Sequence, residues 1–278
     1  MDYIINYLQP IILGALQGLT EFLPISSSGH LVIIRQLFGW DDQGALFDAV
    51  LHLASVIAIF IYFRADWSGL IHSLASKPKT HIATTNRRLL LLLAVGTIPA
   101  IAVGMLLNDM LENQSRSLVI VASLFIFTAI LFWLSERLAQ PRKHITKLSF
   151  FDALGIGIAQ AGAMLPGVSR SGFTIAAGMY FGLKREEAAK FSFLLAAPAL
   201  VLAGGYALLQ LESSALATDW IALMVGFVIS LISSLAAIAL MMRFLKFYRL
   251  SVFSWYLVIV GLALIGMSIF HVGIPLSH

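Results

Sequence analysis

Long apolar runs separated by short polar loops make up most of the chain. A helix needs about 20 consecutive, mostly apolar residues to cross the hydrocarbon core of a bilayer. Six runs reach that length, at roughly 46–63, 89–107, 117–134, 187–210, 220–242 and 252–271. The pattern therefore predicts an all-α integral membrane protein with six transmembrane helices.

Two further apolar segments are interrupted by polar residues. The first hairpin, residues 4–37, is broken by Pro24 and the cluster at 26–29; the second hairpin, residues 150–182, is broken by Pro166 and the cluster at 169–172. Each segment predicts two half-length helices joined by a turn, which is a re-entrant helical hairpin. Irregular backbone at membrane depth must be buried in protein or line a cavity. We therefore expect the two turns to face each other or a shared cavity.

Basic residues are concentrated in alternate loops, which the positive-inside rule places in the cytoplasm. These residues are Arg64, Lys77, Lys79, Arg87, Arg88, Arg137, Arg142, Lys143, Lys147, Lys184, Arg185, Arg243, Lys246 and Arg249. Six crossings then put both termini outside. The first hairpin enters from the outer face and the second from the cytoplasmic face. If either hairpin were a full span, basic loops would lie on both sides.

Composition supports the membrane assignment and excludes several classes of function. Hydrophobic residues make up 59% of the chain and charged residues only 12%, whereas soluble domains carry about 25% charged residues. The absence of cysteine excludes disulfides, zinc–thiolate sites and a thiol nucleophile. The net charge of +4 comes from loop residues, so it indicates topology rather than binding of nucleic acid. The N-terminus lacks the features of a signal peptide, and we expect it to belong to the mature fold.

The two hairpins resemble each other when the sequence is shifted by 143 residues. The shift aligns Gly14 with Gly157, Gln17 with Gln160, Ser26 with Ser169, Ser28 with Ser171, and Gly29 with Gly172. Two similar halves that enter from opposite faces form an inverted-topology repeat. We therefore predict a single polytopic domain, 1–278, with approximate repeat halves 1–134 and 135–278.

The polar turns are candidates for an anion site. Each turn precedes a helix, and a helix N-terminus offers unpaired N–H groups and a positive dipole end. A single serine at such a position is more often a helix cap. Arg170, which lies between Ser169 and Ser171, is harder to explain as a cap, because an unpaired charge within a membrane is expensive. Its guanidinium fork suits phosphate oxygens.

Three more polar residues lie in the first hairpin. Gln17 and Glu21 are four residues apart and share a helix face. Glu21 is an intramembrane carboxylate, which marks either a functional site or a structural ion pair with Arg170. His30 follows the serines in the first turn of a helix, where the dipole disfavours imidazolium. It is either a proton acceptor or a hydrogen-bonded bystander.

Other polar residues are weaker candidates. Asp48 and His52 share a helix face and either line the mouth of the cavity or pair with each other. Glu136 lies at a membrane edge among basic residues, and we expect it to be solvated. Lys190 has no evident partner in the sequence.

Two stretches carry a resemblance to a known family. "GALQGLTEFLPISSSGHL" and "LPGVSRSGFT" resemble the signature motifs of the undecaprenyl-diphosphate phosphatases, the bacitracin-resistance family, and "FSFLLAAPA" follows the second motif. The resemblance implies a bacterial inner-membrane hydrolase that removes the terminal phosphate of undecaprenyl diphosphate. It also implies a divalent cation, magnesium or calcium. The product of this hydrolase, undecaprenyl phosphate, is the lipid carrier for peptidoglycan synthesis.

The resemblance also implies which residues act. The essential residues fall on Glu21, Ser27, His30 and Arg170, with Glu21 as the metal ligand. The supporting substrate ligands fall on Gln17, Ser26, Ser28, Ser169, Ser171 and Thr174. The family's first acidic position is Glu or Gln, and Gln17 in this chain removes one carboxylate. A metal site with two carboxylates in the first motif is therefore in doubt.

The sequence permits two mechanisms for the reaction. Either Ser27 attacks the terminal phosphorus or it orients a water molecule, while His30 handles the proton and Glu21 holds the cation or orients His30. The substrate is expected to enter from the outer face with its prenyl tail in lipid. A lipid-phosphate transporter is the rival, because inverted repeats with broken helices are typical of transporters; a third reading combines hydrolysis with return of the carrier. A homodimer is a candidate assembly.

Overall fold

A computed structural model describes residues 2–75, 81–112, 117–140, 142–165, 167–209 and 219–270. It describes the side chains of all these residues except 2–6, 107–112 and 207–209. Pro166, one of the predicted breaks of the second hairpin, lies outside the described residues. Eleven α-helices form within the described ranges: α1 (Asp2–Phe22), α2 (Ser27–Phe38), α3 (Gly44–Tyr62), α4 (Arg64–Ala75), α5 (His81–Glu112), α6 (Leu118–Leu138), α7 (Phe150–Gly162), α8 (Arg170–Tyr180), α9 (Arg185–Leu209), α10 (Trp220–Phe247) and α11 (Ser251–Ile269).

Six of these helices are long and apolar enough to cross a bilayer. Their apolar parts are Gly44–Tyr62, His81–Leu106, Leu118–Leu138, Arg185–Tyr206, Trp220–Phe247 and Ser251–Ile269. Each overlaps one predicted run, so the prediction of an all-α integral membrane protein with six spans is confirmed. The sequence pattern missed α4, which has 12 residues and carries too many polar side chains to register as an apolar run.

The two interrupted segments form helix pairs with a break between their helices. The breaks lie at 23–26, between α1 and α2, and between α7 and α8, where 163–165 and 167–169 are described and are not helical. Three of the four helices are short, with 12, 13 and 11 residues. The fourth, α1, has 21 residues, which is about 32 Å of helix at 1.5 Å per residue. The expectation of four half-length helices is therefore wrong for α1, because its helix begins at Asp2, well before Gln9, the residue that contacts the segment after α2.

In each pair, the chain after the second helix comes back to contact the first helix or the segment before it. The side-chain amide of Gln9 in α1 donates to the carbonyl oxygen of Asp41 after α2, at 3.3 Å. In the second pair, the Lys184 N–H donates to the carbonyl oxygen of Lys143, at 3.1 Å. These contacts give both segments the shape of a hairpin. That each hairpin dips into the bilayer from one face stays a prediction.

Glycines allow each hairpin to pack on a long helix from the other predicted half of the chain. A Cβ added to Gly14 of α1 would lie 2.5 Å from the carbonyl oxygen of Gly226 in α10. Gly157 of α7 approaches the backbone of Gly96 in α5 in the same way. Gly14 and Gly157 are a pair aligned by the shift of 143 residues. This exchange of partners is the packing that two inverted halves would make, and the repeat itself stays a prediction.

Both turns pack against one helix of the core. Gly29 at the start of α2 lies against the ring of Phe125, and Gly172 at the start of α8 lies against the ring of Phe132, both in α6. Each glycine leaves room for a ring that a side chain would displace. Gly261 of α11 also packs on α6 within the chain. A homodimer stays a prediction.

Candidate active site

The two turns meet inside the protein. The N–H of Gly167 donates to Ser28 Oγ at 3.3 Å, and Ser171 Oγ donates to the carbonyl oxygen of Leu23, also at 3.3 Å. Buried backbone groups that lie outside a helix need such partners. The prediction that the serine-rich turns face each other is confirmed.

A serine caps the second helix of each hairpin. Ser26 Oγ accepts from the N–H of Gly29 at 3.3 Å, and Ser169 Oγ accepts from the N–H of Gly172 at 3.2 Å. These caps satisfy N–H groups that have no partner within the helix. The capping role is therefore present at both positions, and the predicted contact of Ser26 and Ser169 with substrate stays a prediction.

The first turn has a strained backbone that the second turn lacks. Ser26 has φ +73°, and it is the one non-glycine residue with positive φ in the described ranges. Ser169 has an ordinary φ of −81°, and the second turn instead uses Gly167 at φ +97°. A non-glycine residue in this region costs about 1–3 kcal/mol and is typical of functional sites. The strain occurs directly before Ser27.

Glu21 joins three helices through its carboxylate. The side chain is buried, with 6% of the residue exposed. Its Oε1 accepts from Arg170 Nη2 at 2.5 Å, and its Oε2 accepts from Ser27 Oγ at 2.6 Å and from Gln17 Nε2 at 2.9 Å. A buried charge needs this kind of pairing. The ion pair with Arg170 links the two hairpins and holds Ser27 beside the carboxylate.

Two buried atoms beside this cluster lack a hydrogen-bond partner. They are Gln17 Oε1, an acceptor, and Arg170 Nη1, a donor. Buried polar atoms are almost always paired, so each exception needs an explanation. Arg170 Nη1 suits an anionic oxygen, and Gln17 Oε1 suits a cation or a hydroxyl group. These two unpaired atoms indicate that a charged ligand completes the site.

His30 is buried, and both of its ring nitrogens have partners away from the carboxylate. Nδ1 lies 2.8 Å from the carbonyl oxygen of Ser26, and Nε2 lies 2.7 Å from the hydroxyl of Tyr256 in α11. Within the described part of the chain, no hydrogen bond joins His30 to Ser27 or Glu21. The Ser26 carbonyl and Tyr256 therefore orient the imidazole in this arrangement.

Sequence reasoning missed Tyr256. It lies 226 residues from His30 and occurs within an apolar span. Tyrosine is common in transmembrane helices near an interface, so neither its type nor its spacing marked it. A partner brought in by tertiary packing leaves no local signal.

Thr174 has a different environment from the other predicted ligands. Its hydroxyl donates to the carbonyl oxygen of Arg170 at 2.8 Å and contacts Ser192 of α9. The side chain is buried, and it ties α8 to α9. The hydroxyl therefore acts on the helix that carries Arg170 rather than on the Glu21 cluster.

Of the weaker candidates, His52 borders the site. Its Nε2 lies 3.8 Å from Glu21 Oε2, and its Nδ1 bonds the carbonyl oxygen of Asp48. The Asp48 carboxylate instead accepts both terminal nitrogens of Arg35, at 2.5 and 3.1 Å. The alternative in which the side chains of Asp48 and His52 pair with each other is therefore wrong. Sequence reasoning overlooked the buried Arg35.

The expectation that Glu136 is solvated was wrong, and Lys190 has a partner that the sequence did not reveal. The Glu136 side chain is only 6% exposed; it accepts from Arg185 and from the N–H of Leu250 at 2.7 Å. It therefore fastens three helices instead of being solvated. Lys190 does have a partner, Asp66 of α4, at 2.5 Å.

The residues fit one kind of cation site and exclude another. No group of three or more His, Asp or Glu side chains that could hold a metal occurs in the described ranges. A cage built from protein ligands alone is therefore absent there. Mg²⁺ commonly uses one or two carboxylates and takes its other ligands from water and substrate phosphates. Glu21, with the unpaired Gln17 Oε1 beside it, fits that second kind of site.

Comparison with known proteins identifies the family. The family model described as bacitracin resistance protein BacA matches residues 10–263, which include all the site residues named above. The protein named undecaprenyl-diphosphatase from Idiomarina loihiensis is 38% identical over 263 residues, covering 93% of this chain and 98% of that protein. The protein of the same name from Myxococcus xanthus is 40% identical, covering 94% and 88%. Undecaprenyl-diphosphatase 2 from Stutzerimonas stutzeri is 40% identical, covering 94% and 97%. This chain, with its paired hairpins and the buried cluster between them, belongs to the bacitracin resistance protein BacA family.

Proposed function

We propose that the protein is a membrane phosphatase that hydrolyses undecaprenyl diphosphate to undecaprenyl phosphate and inorganic phosphate. Family membership and the names of the relatives support the substrate. The observation that carries the chemistry is the buried cluster in which one carboxylate holds Ser27 and Arg170. A site that only binds lipid phosphate needs the arginine, but it does not need a serine hydroxyl held on a carboxylate.

The diphosphate binds where the two turns meet, with the prenyl tail left in lipid. Arg170 Nη1 is the free donor, and the N-termini of α2 and α8 add N–H groups and positive dipole ends. Fixed donors in a buried site stabilise the charge that builds on the phosphate oxygens in the transition state. Arg170 is therefore the main electrostatic residue.

Ser27 is the nucleophile in the covalent route. Its Oγ attacks the terminal phosphorus, and its proton passes to Glu21 Oε2, which already accepts its hydrogen bond at 2.6 Å. The bond from the terminal phosphorus to the bridging oxygen breaks, and the electron pair leaves on the lipid monophosphate. Water then attacks the phosphorus of the phosphoserine, and the bond from phosphorus to Ser27 Oγ breaks. Ser27 Oγ takes back the proton that Glu21 held, and inorganic phosphate leaves with the protons of the water.

In the direct route, the hydroxyl of Ser27 and the Glu21 carboxylate hold the attacking water. The water gives its proton to the Glu21 carboxylate as its oxygen bonds the terminal phosphorus. The same bridging bond breaks, and its electron pair leaves on the lipid monophosphate. His30 lies one turn after Ser27 on α2 and is the second proton acceptor of the site. Because Ser27 Oγ donates its hydrogen bond to Glu21, the proton of Ser27 passes to Glu21 rather than to His30.

A divalent cation, Mg²⁺ or Ca²⁺, would be held by Glu21 with Gln17 Oε1, and it would neutralise phosphate charge when bound. Because Gln17 is neutral, this donor set carries one negative charge less than a pair of carboxylates. The substrate phosphates and water would then supply most of the ligands of the cation.

The proposed setting is the bacterial inner membrane, with the site open to the outer face and both termini outside. The placement of basic loops supports this orientation. Dephosphorylation there recycles the carrier for cell-wall synthesis and confers bacitracin resistance by consuming the lipid diphosphate.

Release of inorganic phosphate by the purified protein tests the proposal. We expect release from undecaprenyl diphosphate with Mg²⁺, loss of release in EDTA, and a decrease of at least a hundredfold in Arg170→Ala and Glu21→Gln. Arg142→Ala is the matched control, because Arg142 is exposed in a loop and should keep full activity. Release by the parent protein no greater than by Arg170→Ala would contradict hydrolysis and favour a transporter.

Rapid quenching separates the two routes. With substrate labelled on the terminal phosphate, the covalent route predicts labelled protein within one turnover and none in Ser27→Ala. The direct route predicts no labelled protein at any time, with activity still reduced in Ser27→Ala.

A further inference from the structure

The imidazole of His30 is held on two edges and on one face. Nδ1 contacts the Ser26 carbonyl oxygen at 2.8 Å, and Nε2 contacts the Tyr256 hydroxyl at 2.7 Å. The ring of Phe125 lies alongside, with a centroid distance of 5.3 Å and planes 24° apart. Only 7% of His30 is exposed. A ring with this many contacts has one orientation.

These partners determine which nitrogen carries the hydrogen. A carbonyl oxygen can only accept a hydrogen bond, so Nδ1 must donate to Ser26. In the neutral ring Nε2 then has the lone pair, and the phenol of Tyr256 is its donor. The rings of His30 and Tyr256 are within 12° of parallel, with their centroids 5.7 Å apart, so the two rings pack together while the hydroxyl contacts Nε2.

We propose that Tyr256 is a positioning residue for the reaction, which holds the Nε2 lone pair of His30 ready to accept a proton. This inference rests on the proposed phosphatase function, in which His30 is the second proton acceptor. Without the phenol, Nε2 has no hydrogen-bond donor. The bond from Nδ1 to the Ser26 carbonyl then fixes only the opposite edge of the ring.

The location of Tyr256 suits this role. It comes from α11, the last span, whereas Ser27 and His30 share α2. Tyr256 is 41% exposed, whereas His30 is only 7% exposed, so the phenol links the buried imidazole to a residue at the protein surface. A water molecule that reaches Nε2 donates to its lone pair in place of the phenol. The phenol therefore occupies the proton-accepting position until substrate arrives.

Tyr256→Phe removes the hydroxyl and keeps the ring, so it tests the proposal without opening a cavity. We expect kcat for phosphate release to fall about tenfold with KM within twofold, because the change affects a proton acceptor rather than binding. Tyr248→Phe is the matched control. Tyr248 lies after α10 and is 58% exposed, and its variant should behave like the parent protein.

The nitrogen resonances of His30 provide a readout that does not depend on activity. In protein labelled with ¹⁵N-histidine, a difference spectrum against His30→Gln assigns the ring. We expect a protonated Nδ1 and an unprotonated Nε2, with the Nε2 resonance shifted in Tyr256→Phe and unchanged in Tyr248→Phe. An unchanged Nε2 resonance or an unchanged kcat in Tyr256→Phe would overturn the proposal. If the parent protein released no phosphate, the proposed function would fail, while the resonances would still report on the contact.

Discussion

The Glu21 carboxylate accepts hydrogen bonds from three side chains, and these partners determine what each of its oxygens can do. Arg170 occupies Oε1, while Ser27 and Gln17 both donate to Oε2. The arginine neutralises the carboxylate and holds it in place, so the serine proton has a fixed acceptor. An amide at position 17 adds a donor where a carboxylate would add charge. The cation requirement of the site should therefore depend on this single residue.

Gln17→Glu should strengthen cation binding. A second carboxylate beside Glu21 gives Mg²⁺ a second anionic ligand, and we expect the half-saturating concentration to fall about tenfold. Both phosphate release and calorimetric titration of Mg²⁺ into the protein measure it. Gln140→Glu, at an exposed position after α6, is the matched control. Equal half-saturating concentrations for the parent protein and Gln17→Glu would show that position 17 does not contact the cation.

At the scale of elements, the local sequence pattern predicts the helices better than it predicts the contacts between them. Apolar runs and the breaks at Pro24 and the serines were sufficient to predict six spans and two interrupted helix pairs, because helix length and turn residues are local properties. The pattern also brought Arg170 and Glu21 together, since two buried charges need each other. It could not supply Tyr256 as the partner of His30 or Arg35 as the partner of Asp48, because packing between distant helices decides those contacts. The strain at Ser26 has no sequence signal either.

Packing at the hairpin helices gives a matched test within α7. Gly157→Ala places a Cβ against the backbone of Gly96, which cannot move aside as a flexible side chain can. Gly162→Ala makes the same change at the end of the same helix, with no atom within 4 Å of the new Cβ. We expect Gly157→Ala to lower stability by about 1–3 kcal/mol. Gly162→Ala should leave stability unchanged or slightly raised.

Thermal unfolding of the purified variants in one detergent measures this difference. A Tm for Gly157→Ala equal to that for Gly162→Ala would mean that α5 and α7 can separate at no cost. The close approach of Gly96 and Gly157 would then not be needed for the fold.

The whole molecule places the tips of two hairpins together and their open ends apart. Gln9 and Asp41 close the open end of the first hairpin. Lys143 and Lys184 close the open end of the second. With the tips in contact, each open end lies about one short helix away from the meeting point. Inverted halves would give this arrangement, with an open end at each membrane surface.

Labelling of single cysteines tests this topology, because the chain has no cysteine of its own. In intact cells made permeable only in the outer membrane, we expect an impermeant maleimide to label Gln9→Cys and Gln43→Cys. Lys147→Cys and Lys184→Cys should be labelled only after the inner membrane is opened. Labelling of the two ends of one hairpin from opposite sides would contradict re-entrance.

The ion pair between the hairpins also has a consequence for biosynthesis. Arg170 lies 149 residues after Glu21, and a chain is made from its N-terminus. The first hairpin therefore reaches the bilayer with a carboxylate whose counter-charge has not yet been synthesised. Such a charge is costly in hydrocarbon, so the hairpin should stay near the aqueous surface, or protonated, until the second half inserts. Maturation of the enzyme would then be a late event, completed when the ribosome has delivered the arginine.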